Sequence, residues 1–189
     1  RKESSAASDV YKRQEVKIEW DDISFDAIMA KQSVQMKWTF NIPEMARKVE
    51  GVNAGYLIEV GARPNTGKTS FHASMLVGPN GMARQGARCV VLCNEESYDR
   101  VAFRYIQAST GFPKEKIQAN IHEAKRIYQD VTKNVKIKDV SGEDMSWVET
   151  MCKSERPDIV VLDMGDKFAS GTYSRPDEQL KANAIYARQ

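Results

Sequence analysis

Apolar and polar positions along the chain form short apolar runs that alternate with longer segments of helical periodicity. Two runs, residues 88–93 (RCVVLC) and residues 159–163 (IVVLD), are almost continuously apolar over the length of a strand. Such runs are typical of strands that are buried on both faces of a parallel sheet. Residues 135–140 (VKIKDV) alternate instead, which predicts a strand with one face in water.

The same patterns, with the positions of glycine and proline, predict an α/β fold. The predicted strands are residues 38–40, 56–61, 88–93, 135–140 and 159–163. The predicted helices are residues 41–49 with Asn41 as the cap, 67–76, 97–109, one or two within 113–130, 142–152 and a last one from about 176 to the end. Residues 51–55 and 78–81 are predicted turns. Because strands and helices alternate, we expect a parallel sheet whose strands all end at one edge.

The first residues do not fit this organisation. Residues 1–14 are polar and aperiodic, and residues 4–14 (SSAASDVYKRQ) resemble the in-frame translation of a common sequencing adapter. We therefore interpret residues 1–14 as a non-native tail, with a natural disordered N-terminus as the alternative. Residues 15–36 are then a linker or peripheral segment with a short strand and a helix, and residues 37–189 are the main domain.

Composition and charge bound the class of protein. The chain is 41% hydrophobic and 29% charged, which is ordinary for a globular domain. No stretch approaches about 18 consecutive apolar residues, so the sequence predicts no transmembrane helix. The formal charge is +2, but residues 1–14 hold four of the 28 basic and two of the 26 acidic side chains. The other residues therefore carry 24 of each and give no sign of a basic nucleic-acid surface.

The cysteines and histidines do not predict a metal site. Three cysteines without repeated CxxC spacing argue against a disulfide framework or a zinc site. Cys89 and Cys93 are interpreted as buried thiols of a strand. His72 and His122 are interpreted as structural or surface residues.

The strongest motif is residues 61–70 (GARPNTGKTS), which fit the phosphate-loop pattern [AG]-x4-G-K-[ST] with Ala62 in the first position. Backbone N–H groups and the N-terminus of the following helix favour phosphate in such a loop. Lys68 would reach the β- and γ-phosphates, and the Thr69 hydroxyl would bind Mg²⁺. The predicted nucleotide contacts are Ala62, Arg63, Pro64, Asn65, Thr66, Gly67, Lys68, Thr69 and Ser70. The alternative is a plain strand–turn–helix with a solvated lysine.

Two carboxylates complete the predicted site. Asp163 ends an apolar strand and fits a Walker B aspartate that would hold Mg²⁺, although it could also be a capping residue of a core strand. Glu95 follows the strand of residues 88–93, and we predict that it activates the attacking water. Glu96 is expected at the start of the next helix, and a helix start without chemistry remains the alternative for both glutamates.

These residues resemble the ATPase domain of replicative DNA helicases of the RecA/DnaB class. The resemblance rests on GARPxxGKT, on NEES after an apolar strand and on residues 162–167 (LDMGDK). Residues 37–188 are most similar to the helicase half of bacteriophage primase-helicases. The resemblance implies a RecA-like P-loop NTPase fold, with Lys68 and Thr69 in the phosphate loop, Glu95 as the catalytic glutamate and Asp163 as the Walker B residue. Arg104 falls where these helicases often have arginine, and it is given no role.

The resemblance also implies cofactors, partners and location. It implies ATP or another NTP with Mg²⁺, a homo-hexameric ring and single-stranded DNA, without a membrane partner. A cytoplasmic location is expected, in the host if a phage encodes the protein. Relatives continue beyond Gln189 with a sensor, an arginine finger and DNA loops. We therefore expect a C-terminally truncated domain that binds nucleotide and hydrolyses it poorly, in which Asp166 and Lys167 either touch nucleotide or are solvated.

Three other functions stay open from the sequence. A RecA/RadA-type recombinase would share the strand-end glutamate. A P-loop kinase would transfer phosphate to a small acceptor and would carry a lid with arginines, which is not obvious here. The third is a module that only binds nucleotide.

Overall fold

A computed structural model describes residues 24–32, 36–63 and 65–164, which divide between two compact units, residues 1–35 and 36–189. In the first unit the described residues form one helix, α1 (Phe25–Gln32). The predicted tail 1–14, a strand before residue 24 and the last helix from about 176 lie outside the described residues, as do Asp166 and Lys167.

The second unit carries the predicted alternation of strands and helices. Its elements are β1 (Trp38–Thr39), α2 (Pro43–Val49), β2 (Gly51–Val52), α3 (Lys68–Val77), β3 (Cys89–Cys93), α4 (Tyr98–Thr110), α5 (Lys114–Ala119), α6 (Ile121–Thr132), β4 (Val135–Asp139), α7 (Met145–Glu155) and β5 (Ile159–Asp163). None of the described helices is both long and apolar enough to cross a membrane.

The main sheet has the order β4-β3-β5, and all three strands are parallel. Cys93, the last residue of β3, lies opposite Asp139 on one side and Asp163 on the other. The carboxyl ends of the three strands therefore meet at one edge, as the sequence predicts. A separate antiparallel pair, β1 and β2, precedes the phosphate loop in the chain.

Helices cover both faces of the sheet because β3 is apolar on both faces. On one face Cys89, Val91 and Cys93 pack with residues of α3, α4 and α6. On the other face Val90 and Leu92 pack with Met145 and Val148 at the start of α7 and with Val140 just before them. The predicted α/β fold with helices on both faces is confirmed.

The predicted strand at residues 56–61 is wrong. Residues 56–60 form no ladder with any described strand, and Tyr56, Leu57, Ile58 and Val60 are 39–56% exposed. Apolar and β-branched composition predicts a strand only where a neighbouring strand accepts its backbone hydrogen bonds. Here the amide of Tyr56 instead donates to the carbonyl of Asn53 at 3.3 Å, which closes a turn.

Three smaller expectations also need correction. Ile42, not Asn41, is the N-cap of α2, and the Asn41 amide donates instead to the carbonyl oxygens of Ser74 and Pro79 at 2.8 and 3.1 Å. Residues 51–52 of the predicted turn form β2. The sequence predicts that β5 is buried, but only Asp163 is buried and its other four residues are half-buried.

Candidate nucleotide-binding site

Two residues of the loop that precedes α3 adopt left-handed backbone conformations. Asn65 and Gly67 both have positive φ angles, of 60° and 96°. The Thr66 hydroxyl donates to the carbonyl oxygen of Arg63 at 2.6 Å, and the Thr66 amide lies 3.3 Å from the same oxygen. The loop is therefore folded on itself, and its described residues are exposed up to Gly67. Pro64 lies outside the described residues.

Among the described residues, no side chain caps the N-terminus of α3. Gly67 is the N-cap, and the first turn of the helix contains no acidic residue. The positive φ angle of Gly67 favours glycine at this position. A Cβ there would meet nothing within 4 Å, so the space around Gly67 is open. The uncapped N–H groups and the helix dipole leave this end of α3 suited to an anion.

Thr69 and Asp163 meet below the loop, although 94 positions separate them. The Thr69 hydroxyl lies 3.4 Å from Oδ2 of Asp163, and each residue is only 6% exposed. The nearby His72 imidazole does most to lower the pKa of Asp163; burial opposes this shift, while Lys68 and Thr69 add to it. The carboxylate is thus held in its charged form beside a hydroxyl, which is a suitable pair of oxygen donors for Mg²⁺.

The Lys68 side chain lies beside the carboxyl end of β5. Its Nζ is 2.7 Å from the sulfur of Met164, the residue after Asp163. Met164 has a φ of +65°, and its carbonyl accepts a hydrogen bond from Asn94 Nδ2 at 3.3 Å. Because a thioether is only a weak acceptor, this contact leaves the ammonium group able to bind a stronger one.

His72 is the side chain beside the predicted site whose position sequence reasoning missed. Its Nδ1 lies 2.9 Å from the Tyr105 hydroxyl, and its Nε2 lies 3.9 Å from Oδ2 of Asp163, longer than a formed hydrogen bond. The side chain is 14% exposed, so the interpretation of His72 as structural or surface overlooked a contact with the predicted Mg²⁺ ligand. The available signal was spacing, because His72 follows Thr69 by one helical turn.

The two glutamates after β3 have different surroundings. Glu95 is exposed at the same sheet edge as Asp163, while Glu96 is half-buried and pairs with Arg104 at 3.1 Å. Glu96 does not begin α4 as expected, since the helix begins at Tyr98 with Ser97 as its N-cap. The second carboxylate oxygen of Glu96 is buried and has no hydrogen-bond partner among the described residues. Arg104, which the sequence left without a role, thus holds Glu96.

The structure brings Lys68, Thr69 and Asp163 together, with Glu95 on the neighbouring strand end. The other predicted nucleotide contacts are exposed on the loop and on the first turn of α3, namely Ala62, Arg63, Asn65, Thr66 and Ser70. Within the described part of the chain, no group of three or more His, Cys, Asp or Glu side chains is placed to hold a metal ion.

A parallel sheet with helices on both faces and a glycine-containing loop that leads into a helix is an architecture that P-loop nucleotide-binding domains share. Residues 39–167 match the family model described as the DnaB-like helicase C terminal domain. The chain belongs to this family. The predictions of a RecA-like fold and of a DnaB-class helicase ATPase domain are confirmed.

Solved structures agree with this assignment at the level of the fold. One structure, described as an ATPase domain, matches with a TM-score of 0.64 and 17% identity over 89% of this chain and 68% of that one. A DnaB-like replicative helicase, described with its interactions with primase, matches with a TM-score of 0.65 and 17% identity over 89% of this chain and 46% of that one. No curated protein sequence matches significantly.

Proposed function

We propose that this domain binds an NTP, most simply ATP, with Mg²⁺, and hydrolyses it to drive a replicative DNA helicase. The observation that carries the proposal is the meeting of Lys68, Thr69 and Asp163 at the start of α3 and the end of β5. It occurs in a chain whose residues 39–167 match a helicase family.

The residues present fit a nucleotide with its metal. The N–H groups of the loop and of the first turn of α3 would bind the phosphates, and Lys68 would exchange its thioether contact for phosphate oxygen. Thr69 and Asp163 would hold Mg²⁺, the hydroxyl directly and the carboxylate directly or through water. The metal would offset the negative charge that develops on the phosphates during transfer.

We propose Glu95 as the general base. It lies two residues beyond Cys93, whose partner in the register is Asp163. The side chain of Asn94, between them, contacts the backbone of Met164 and so ties the two strand ends together. Glu95 is exposed at this edge, where a water above the γ-phosphate could reach it.

The remaining functions are proposed from the family. A DnaB-like helicase would act as a homo-hexameric ring on single-stranded DNA, and we expect the cytoplasm as its location. The family match favours this function over a recombinase or a small-molecule kinase. The chain spans 68% and 46% of the two solved chains, so the activity of the whole protein remains part of the proposal.

A binding titration tests the proposal. A fluorescent ATP analogue is titrated with Mg²⁺ into the 189-residue chain and into its Lys68→Ala variant. The variant should bind at least roughly 30-fold more weakly, because truncating one partner of a buried charge pair costs about 2–5 kcal/mol. Lys125→Ala, on the exposed surface of α6, is the matched control and should bind like the unsubstituted chain. Equal affinity of the Lys68→Ala variant would contradict the proposal.

A further inference from the structure

Polar side chains on either side of His72 lead from the core to the edge of the site. Tyr105, on α4, is fully buried, and its hydroxyl lies 2.9 Å from Nδ1 of His72. The opposite ring nitrogen, Nε2, lies 3.9 Å from Oδ2 of Asp163 and has no hydrogen-bond partner among the described residues. Side chains of two helices and one strand thus form a row that ends on the Walker B carboxylate.

Hydrogen-bond accounting fixes the direction of this row. A buried hydroxyl must donate to some acceptor, and burial raises the pKa of the Tyr105 hydroxyl, so it keeps its proton. If it donates to Nδ1, the neutral imidazole carries its proton on Nε2, which faces the carboxylate. The opposite tautomer would leave the tyrosine hydroxyl without an acceptor in the row and would direct a nitrogen lone pair at a negative charge.

We propose that His72 is a positioning residue for Asp163, and that Tyr105 sets its tautomer so that Nε2–H points at Oδ2. The inference rests on the proposed function, since it gives the carboxylate its role as a metal ligand. Thr69 and His72 both approach Oδ2, from successive turns of α3, and neither of these contacts uses Oδ1. The carboxylate is thereby oriented by a residue that does not itself touch the metal.

A contact from His72 would keep the Asp163 carboxylate oriented while Mg²⁺ binds. The Thr69 hydroxyl is a proposed metal ligand, so its contact with Asp163 must adjust when the metal binds. His72 does not have that role and can hold the carboxylate throughout. Hydrogen bonds that orient a ligating carboxylate typically change metal affinity about 10–100-fold when they are removed. An imidazole that only filled space would leave metal affinity unchanged.

A first experiment reads the tautomer without nucleotide. The chain contains only two histidines, so ¹⁵N-labelled imidazoles give two sets of signals, and His122→Gln assigns them. His72 should show the Nε2–H tautomer at a pH where the ring is neutral. Asp163→Asn should shift its Nε2 signal and leave exposed His122 unchanged. An Nδ1–H tautomer, or no response to Asp163→Asn, would overturn the inference.

A second experiment separates metal binding from nucleotide binding. Binding of a fluorescent ATP analogue is followed against Mg²⁺ concentration, and also in EDTA. His72→Leu should raise the Mg²⁺ midpoint about 10–100-fold and leave binding in EDTA unchanged. His72→Gln should keep the original midpoint, because its amide can accept from Tyr105 and donate to Asp163. His122→Gln is the matched control and should change neither quantity.

The outcomes are distinguishable from one another. An unchanged Mg²⁺ midpoint in His72→Leu, or equal losses with and without Mg²⁺, would overturn the positioning role. Tyr105→Phe retains the buried ring, so it should raise the midpoint even if His72→Leu fails to fold, and an unchanged midpoint in Tyr105→Phe would also overturn the inference. If the unsubstituted chain bound no nucleotide, the proposed function would fail, while the imidazole spectrum would still decide the contact between His72 and Asp163.

Discussion

β3 and β5 have almost the same apolar pattern, CVVLC and IVVLD, but different surroundings. β3 lies between two strands and all five of its residues are buried, whereas β5 has one described neighbour and is half-buried except at Asp163. The pattern therefore indicates that a segment is a strand, while its neighbours decide how far it is buried. Asp163 lies on β5, the strand that has fewer described neighbours.

The two strands also differ in what they contribute to chemistry. β5 ends in the carboxylate that contacts Thr69, and β3 leads to Glu95 through Asn94. The contact from Asn94 to the Met164 carbonyl joins the two ends at 3.3 Å. The buried strand β3 thus helps to hold the end of the half-buried strand β5, where Asp163 lies.

The largest expected effect tests this division of roles. In a longer parent protein that carries this domain, Glu95→Gln should retain nucleotide binding but slow hydrolysis by about 10²–10⁴-fold, because it removes the proposed general base and keeps the shape of the side chain. Phosphate release at saturating ATP measures this. Glu96→Gln is the adjacent control and should change the rate far less. If Glu96→Gln stopped hydrolysis and Glu95→Gln did not, the base would be one residue further along.

A matched pair of truncations tests the difference in burial. Leu92 and Leu162 lie opposite each other in the register, and both contact the core on the α7 face. Leu92→Ala should lower the free energy of unfolding by about 2–5 kcal/mol, since it leaves a cavity in the core. Leu162→Ala should cost roughly 1–2 kcal/mol, because less of its side chain is buried. Urea unfolding measures both, and equal losses would show that β5 is covered as fully as β3.

The smallest expected effect concerns the carboxylate that joins the beginnings of the two strands. Asp158 accepts hydrogen bonds from the backbone and side chain of Arg88, at 3.0 and 3.1 Å, and from Lys37 at 3.3 Å. These contacts, led by the Arg88 backbone, lower its pKa to about 2. After allowance for solvent screening, Asp158→Asn should cost about 1–2 kcal/mol at pH 7.

The pH dependence gives this prediction its sign. A lowered pKa means that the stabilisation is complete above about pH 4 and is lost as the pH falls towards 2. The difference in urea midpoint between the two proteins should therefore shrink from pH 7 to pH 3. Asp130→Asn, which removes an exposed pair with Lys133, should change stability by less than about 0.5 kcal/mol at either pH. A difference that did not depend on pH would contradict the assigned pKa.

Much of this molecule could be predicted from local sequence patterns. The parallel sheet followed from apolar runs separated by helical segments, and the family from motifs at the ends of those runs. The approach of Thr69 to Asp163 followed from topology, because parallel strands with right-handed connections end at one edge. These predictions succeeded because each depends on spacing and strand direction, not on the details of side-chain contacts.

What could not be predicted depends on neighbours that are distant in sequence. Tyr56–Val60 has the composition of a strand, but composition does not reveal whether a partner strand lies beside it. Asn41 has the chemistry of a cap, but its amide finds carbonyl oxygens of Ser74 and Pro79 instead. The proposed role of His72 requires knowing that Tyr105 and Asp163 lie on opposite sides of one ring. Each of these contacts is settled by packing in three dimensions.

The contact between Lys68 and the sulfur of Met164 has a consequence for nucleotide exchange. A lysine held by a carboxylate would have to break an ion pair before every binding event and would form it again after every release. Lys68 rests on a neutral, polarisable sulfur, so under the proposed function an arriving phosphate would displace a contact that costs little to break. The binding energy of the phosphate would then be available for holding the nucleotide, and departure of the product would return the ammonium group to a site that competes only weakly for it.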